Sequence, residues 1–279
     1  MNAAMSDRIT AAVEAMPAFP KSVQKILVLT RDINSPPKDL VGVIGKDPVL
    51  TVKILRVVNS AYYSLPKQIT SIGHAVVFLG FNTIKNLALS IAAIGMLPDK
   101  NDAGFDSHAY FMHSLVTAGI AKRLAAKTAD ADPMDCFSAG LLHDFGKIVF
   151  TQYLPQEFKR ALETSAADGS SLHLALQAFA GADHAEVGAM LLEKWRFAPA
   201  FVDVIRHQQP DSLTDSGMAA CVFAANQISK RLGLCAGNEF VAALPSHAQM
   251  RLGGNLDELT SSLGDITRIV DEATVFARL

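Results

Sequence analysis

The stretch Leu141-Leu142-His143-Asp144-Phe145-Gly146-Lys147 decides how this chain is read. It ends an apolar run opened by Asp132-Pro133, where a helix is expected to start. On the helix expected there, His143 and Asp144 point about 100° apart around the axis. Both reach one ion only if it lies between their directions, beside the helix. Histidine and carboxylate are the usual ligands of borderline divalent metals, so the pair is a candidate metal site. Ala139 and Gly140, one turn earlier, leave room for another helix to approach.

Outward from this stretch the pattern stays helical. Val23, Ile26, Leu27 and Val28 follow helical spacing. A short helix is expected from Lys38 to Gly45 after the break Asn34-Ser35-Pro36-Pro37. Asp47-Pro48 opens another, ending near Asn59. Ser64-Leu65-Pro66 breaks the chain again. Ser71 can cap a helix ending at Gly80, and Asn82 the next. Pro98 to Asp106 reads as a subdomain boundary. Later helices run from Asp106 to Lys127, from Ser170 or Ser171 to Gly181, from Asp183 to Trp195, from Pro199 to His207 and from Met218 to Leu232, with short ones in the tail. No alternating run is long enough for a sheet, so the expected fold class is all-α.

Composition excludes several classes of function. Half of the 279 residues are hydrophobic and 19% are charged, which rules out a disordered chain. A formal net charge of -2 gives no overall pull toward nucleic acid or an anionic membrane. The most apolar stretch, Leu87 to Leu97, is too short to span a bilayer and reads as a buried helix. Met1 to Met16 shows no basic segment followed by an apolar run, so no signal peptide is expected. Cys136, Cys221 and Cys235 form no CxxC pair and read as reduced, buried thiols. Together these point to a cytoplasmic protein.

Among eight histidines, His113, His143, His184 and His207 stand out beside Asp144; His74, His108, His173 and His247 are given no role. Gly188, four residues after His184, shares its helix face and permits close packing. Lys38 to Ser60 has the outline of a helix-turn-helix, with Lys53, Arg56 and Asn59 on the second helix. That helix is otherwise dense in apolar residues, and two basic side chains are too few for the usual phosphate contacts, so nucleic-acid binding is not expected.

Several of these segments resemble known motifs. Residues 141–147 look like the LLHDxGK core of the HD superfamily of metal-dependent phosphohydrolases. His113 in Met112-His113-Ser114-Leu115, Asp183-His184-Ala185-Glu186-Val187-Gly188-Ala189 with Trp195 and Pro199, and Arg206-His207-Gln208-Gln209 resemble further blocks of it. In the N-terminal half, Asp47-Pro48-Val49-Leu50, Val57-Val58-Asn59-Ser60-Ala61, Ser71-Ile72-Gly73-His74-Ala75 and Leu79-Gly80 resemble the HDOD domain. The resemblance covers roughly Pro17 to Gln209 and continues weakly to Leu232.

The resemblance implies an N-terminal helical lobe (17–100) packed on an HD-like lobe (101–214). A lead segment (1–16) precedes them, and a helical tail (215–279) completes the HD-like lobe. It implies metal ligands at His113, His143, Asp144, His184 and His207, and iron, manganese, zinc, nickel or magnesium as candidate metals. The late carboxylate of the HD pattern is replaced by Asn226, whose side chain offers only a neutral oxygen, so metal affinity should fall. No GYP-type loop follows His207. Lys147 would face a substrate phosphate in an active member and is otherwise a helix-end lysine in water. HDOD domains are regarded as non-catalytic signalling modules, so the resemblance implies signalling proteins acting in trans, or a nucleotide ligand, as partners. A metal-dependent phosphohydrolase is the alternative. Asn59, Ser60 and Tyr62 form a candidate partner or ligand surface.

Overall fold

The computed structural model describes residues 3–29, 35–60, 63, 65–97, 101–234 and 240–277. Asn34, Tyr62, Ser64, Pro98 and Cys235, invoked above, lie outside the described residues. The helices are α1 (Ala3–Ala15), α2 (Lys21–Leu29), α3 (Pro37–Ile44), α4 (Pro48–Val58), α5 (Ile72–Leu79) and α6 (Phe81–Ile94). They continue with α7 (Ser107–Ala125), α8 (Pro133–Leu142), α9 (Gly146–Tyr153), α10 (Pro155–Asp168), α11 (Leu172–Ala180) and α12 (His184–Lys194). The last are α13 (Pro199–Arg206), α14 (Gly217–Arg231), α15 (Ser246–Leu252), α16 (Leu256–Leu263) and α17 (Thr267–Ala277). There is no strand among the described residues, and the fold is all-α.

Asp47 and Ser71 cap their helices as the sequence suggests, and other helix starts are capped in the same way. Asp47, Ser71, Asp106, Asp132, Asp183 and Ser216 each accept a first-turn amide, which satisfies donors that have no partner inside the helix. Asn82 does not. Gly80, at φ 84°, both ends α5 and opens α6, and the two helices meet at an angle of 119°. A residue with positive φ at the junction leaves no linker in which Asn82 could cap, so it falls inside the first turn. Residues 84–93 of α6 are all buried, and among the described residues no single helix is long and apolar enough to cross a membrane.

The chain divides into two compact units, Met1–Pro17 with Leu97–Ile266, and Ala18–Met96 with Thr267–Leu279. This differs from the expected partition at both ends. At the first end, α1 packs on α9 and α12, and Lys194 Nζ donates to the carbonyls of Val13 and Met16, each at 3.0 Å. The tail divides, because α17 belongs with α2–α6, where the Tyr63 hydroxyl donates to Glu272 Oε1 at 3.3 Å. In the first unit α7, α8 and α14 form the core. The α7–α8 contact depends on Gly140, where a Cβ would lie 2.9 Å from Ala118 Cα. Cys136 on α8 and Cys221 on α14 are buried there as free thiols.

Candidate metal centre

His143 and Asp144 do not lie inside one helix. The backbone of α8 ends at Leu142, and residues 143–145 form a turn before α9. Bonding there tightens to the i→i−3 kind, with Phe145 N–H donating to Leu142 O at 3.0 Å and Lys147 N–H to Asp144 O at 2.9 Å. The turn carries α9 onto α12. Gly146 makes the approach possible: a Cβ there would lie 1.9 Å from the His184 carbonyl oxygen and 2.7 Å from Gly188 N. Phe145 fixes the turn from below, edge-on to Trp195 with ring centroids 5.5 Å apart. The glycine of the quoted motif thus brings His184, the first residue of α12, beside Asp144.

The result is a buried cluster. Asp144 Oδ2 lies 3.3 Å from His143 Nε2 and 3.7 Å from His113 Nε2, while Oδ1 lies 3.3 Å from His184 Nε2. Lys147 Nζ is 2.7 Å from Oδ2. The tautomers follow from the far sides of the rings. His143 Nδ1 sits 2.7 Å from the Gly140 carbonyl oxygen and His113 Nδ1 sits 2.8 Å from that of Leu234. A carbonyl only accepts, so each Nδ1 carries a proton and each ring turns Nε2 toward Asp144. Backbone partners on the outer nitrogen are what orient metal-binding histidines.

Burial pushes the Asp144 carboxyl upward. The positive charges of His143 and Lys147 and hydrogen bonds from His143 and His184 outweigh it, and hold the group well below the usual carboxylate range. Beside the cluster lies a cavity of about 40 Å³ lined by Lys147, His173, His184, Gln208, Asn226 and Lys230, among others.

Residues 16–210 match the HDOD domain. The chain belongs to the HDOD family. A crystallised candidate phosphohydrolase from Shewanella amazonensis SB2B is similar to it over 96% of this chain and 98% of that one, at 26% identity and a TM-score of 0.76. An HDOD domain protein of unknown function from Geobacter sulfurreducens shares the fold at a TM-score of 0.77, with 22% identity and 97% of each chain covered. So does a candidate signal transduction protein from Marinobacter aquaeolei VT8, at a TM-score of 0.80 and 23% identity, over 99% of this chain and 65% of that one. An uncharacterized protein of Treponema pallidum (strain Nichols) is 29% identical over 208 residues, 73% of this chain; the match spans 39% of that relative's own length.

In this HDOD chain, His113, His143 and Asp144 offer ligand atoms within 4.8 Å of one another, a group able to hold a metal ion. Two inward imidazole nitrogens and a carboxylate oxygen, all buried, suit a borderline divalent cation. When bound, such an ion would act as a Lewis acid and lower the pKa of a coordinated water. His184 adjoins this group through Asp144. His207 is partly exposed at the end of α13, with its Nδ1 3.0 Å from the Asp203 carbonyl oxygen, and among the described residues no hydrogen bond or ion pair joins it to the cluster. Its neighbour Gln208 reaches inward instead, donating to the carbonyls of His143 at 2.7 Å and Ile205 at 2.8 Å.

Asn226 is buried in the wall of the small cavity, with Oδ1 lacking a hydrogen-bond partner. Lys147 is not a solvated helix-end lysine: it is buried on Asp144. His173, given no role from the sequence, forms an ion pair with Asp183 and lines the same cavity. No sequence signal separates it from the other lone histidines. In the other unit, Asn59 is taken up by backbone. Its Nδ2 donates to the carbonyls of Leu55 and Ile69, each at 2.8 Å, and Ile69 N–H donates to its Oδ1 at 2.7 Å. On α4, Val49 and Val52 are exposed, so that helix is less enclosed than its composition suggests.

Proposed function

We propose that this chain is a signal-transduction module that binds a protein partner or small ligand without turning over a substrate. The observation that carries this reading is the contact between Lys147 and Asp144. The carboxylate a catalytic metal would need already holds an internal ammonium at 2.7 Å, buried with it. Two further features support it. Asn226 supplies a neutral oxygen where the HD pattern has a carboxylate. The cavity beside the cluster, about 40 Å³, has room for a few waters, whereas small-molecule sites run to roughly 300–1,000 Å³. Signalling proteins acting in trans are the expected partners.

One observation favours the alternative, a metal-dependent phosphohydrolase acting on a nucleotide or cyclic dinucleotide. His113 and His143 are held with Nε2 inward, as metal ligands are, and a relative 26% identical is itself a candidate phosphohydrolase. Metal analysis of protein purified without chelator, beside a phosphodiesterase screen that includes cyclic dinucleotides, separates the two. The signalling reading expects metal well below one equivalent and no cleavage. Stoichiometric metal, with turnover that His143→Ala abolishes, overturns it.

A further inference from the structure

The second unit contains a cavity of about 380 Å³, lined by residues between Pro20 and Pro48 alone. Its walls include Lys21 and Lys25 of α2, Lys46 and Asp47 ahead of α4, and the apolar Val43 and Pro48. All three lysines are exposed, and none has an ion pair or side-chain hydrogen bond among the described residues. Asp47 does not neutralise them. Its Oδ1 accepts from Leu50 N–H at 3.0 Å, and its Oδ2 from the Ser22 hydroxyl at 2.6 Å. Those two bonds hold α2 against the start of α4 and so fix the cavity wall.

The placement of the lysines runs against local preference. Lys21 and Lys25 are four residues apart on one helix face, where like charges repel. Lys21 also opens α2, and the first turn of a helix disfavours a cation. Unpaired like charges gathered round one cavity against such preferences mark a site meant to meet an anion.

We propose that this cavity binds a small organic phosphate. The charges match: three ammonium groups and one carboxylate leave two positive charges, and a phosphomonoester carries close to two negative ones at neutral pH. Lysine binds phosphate as a mobile point charge, without requiring the fixed fork of arginine. The volume falls within the range of small-ligand sites, and Val43 and Pro48 give the organic part an apolar wall. The proposal stands whether or not the HD-type cluster holds metal.

Calorimetric titration of the full chain with AMP and with glycerol 3-phosphate tests it, alongside the double variant Lys21→Gln/Lys46→Gln and, at the other cavity, Lys230→Gln. These lysines reach solvent or the edge of a cavity, so the variants should fold, which their circular dichroism checks. The expected result is saturable binding of at least one ester, weakened about tenfold or more in the double variant, unchanged in Lys230→Gln, and displaced by inorganic phosphate. The proposal is overturned by the absence of saturable binding for both esters, by binding that the double variant keeps or that Lys230→Gln removes, or by indifference to inorganic phosphate. Binding of hexaglutamate in place of either ester also overturns it, and assigns the surface to an acidic protein segment.

Discussion

Lys147 Nζ and Asp144 Oδ2 are 2.7 Å apart, and that oxygen also faces Nε2 of His143 and of His113. The lysine and any metal bound there would therefore contend for one carboxylate. An ammonium on Asp144 neutralises it without metal, and a divalent ion at the same oxygen would have to displace or repel the lysine.

Lys147→Met separates these roles. Breaking a buried ion pair leaves an uncompensated charge, so the variant should lose about 3 kcal/mol or more in urea denaturation at neutral pH. Added Mn²⁺ should recover more stability in the variant than in the parent, because binding to the folded state stabilises it. Equal response of the two proteins to Mn²⁺ would show that the lysine does not contend with the ion.

Gly146→Ala should be among the most damaging single-methyl additions in the chain. The new Cβ would meet backbone atoms of His184 and Gly188, which cannot swing aside as a side chain can. A loss of about 3 kcal/mol, the upper end for overpacking, is expected in the denaturation midpoint, with α9 and α12 forced apart. A variant of parental stability would mean that the turn at residues 143–145 has freedom the packing does not suggest.

Much of the fold was legible because helix starts carry chemical punctuation. Asp47-Pro48, Asp132-Pro133 and Ser71 each marked a start within one or two residues. The helices α9 and α10 were not legible for the opposite reason. Residues 146–151 of α9 are all buried and show no polar face, and Leu154, between the two helices, has an apolar side chain with nothing to cap. The first helix, α1, carries no cap signal either. In the site, the order of motifs pointed to His113, His143 and Asp144, but the turn at residues 143–145 and the inward Gln208 depend on how α9 and α13 pack. His173 meets Asp183 only because Gly181, at φ 70°, folds α11 back before α12.

Asn59→Ala removes three hydrogen bonds, two that join the end of α4 to Ile69 and one to the Leu55 carbonyl within the helix. At about 1 kcal/mol net for each bond, discounted for partial exposure, a loss of about 2 kcal/mol is expected. An unchanged midpoint would return Asn59 to the role of a partner-binding residue.

Asp183 gives the protein an acid-sensitive joint. Burial raises its carboxyl, but the hydrogen bond with His173, the His184 charge and the Glu186 amide outweigh burial and hold it below the usual value. A depressed carboxylate adds stability that is full above its unfolded value, about 3.9, and is lost as pH falls through its folded value. Asp183→Asn keeps a capping side chain while removing the charge. The variant should be about 1–2 kcal/mol less stable than the parent near neutrality, with the gap closing below about pH 4. A gap that stays constant through the acid range would exclude the charge as its source.

Asn226→Asp decides whether the cluster is a metal site that has lost a ligand. The new carboxylate would stand in the cavity wall with Lys147 and His184, adding an anionic oxygen to the existing group. Two effects of opposite sign follow. Without metal, a second buried carboxylate is only partly compensated, so stability should fall by about 1–3 kcal/mol. With Mn²⁺ or Zn²⁺, affinity should rise about tenfold or more, the scale on which partners of metal sites act. Measuring both separates a restored ligand from a mere surface change, which would move neither. Activity need not return, because positioning a substrate is a separate requirement. If the parent already binds metal stoichiometrically and cleaves a phosphodiester, the enzyme reading wins. If only the variant binds metal, the cluster is a depleted HD site inside a signalling module. If neither binds at neutral pH, where unperturbed histidines are mostly uncharged, then Lys147 is the cation that Asp144 was kept to hold, and the inward histidines serve packing and hydrogen bonding around that pair.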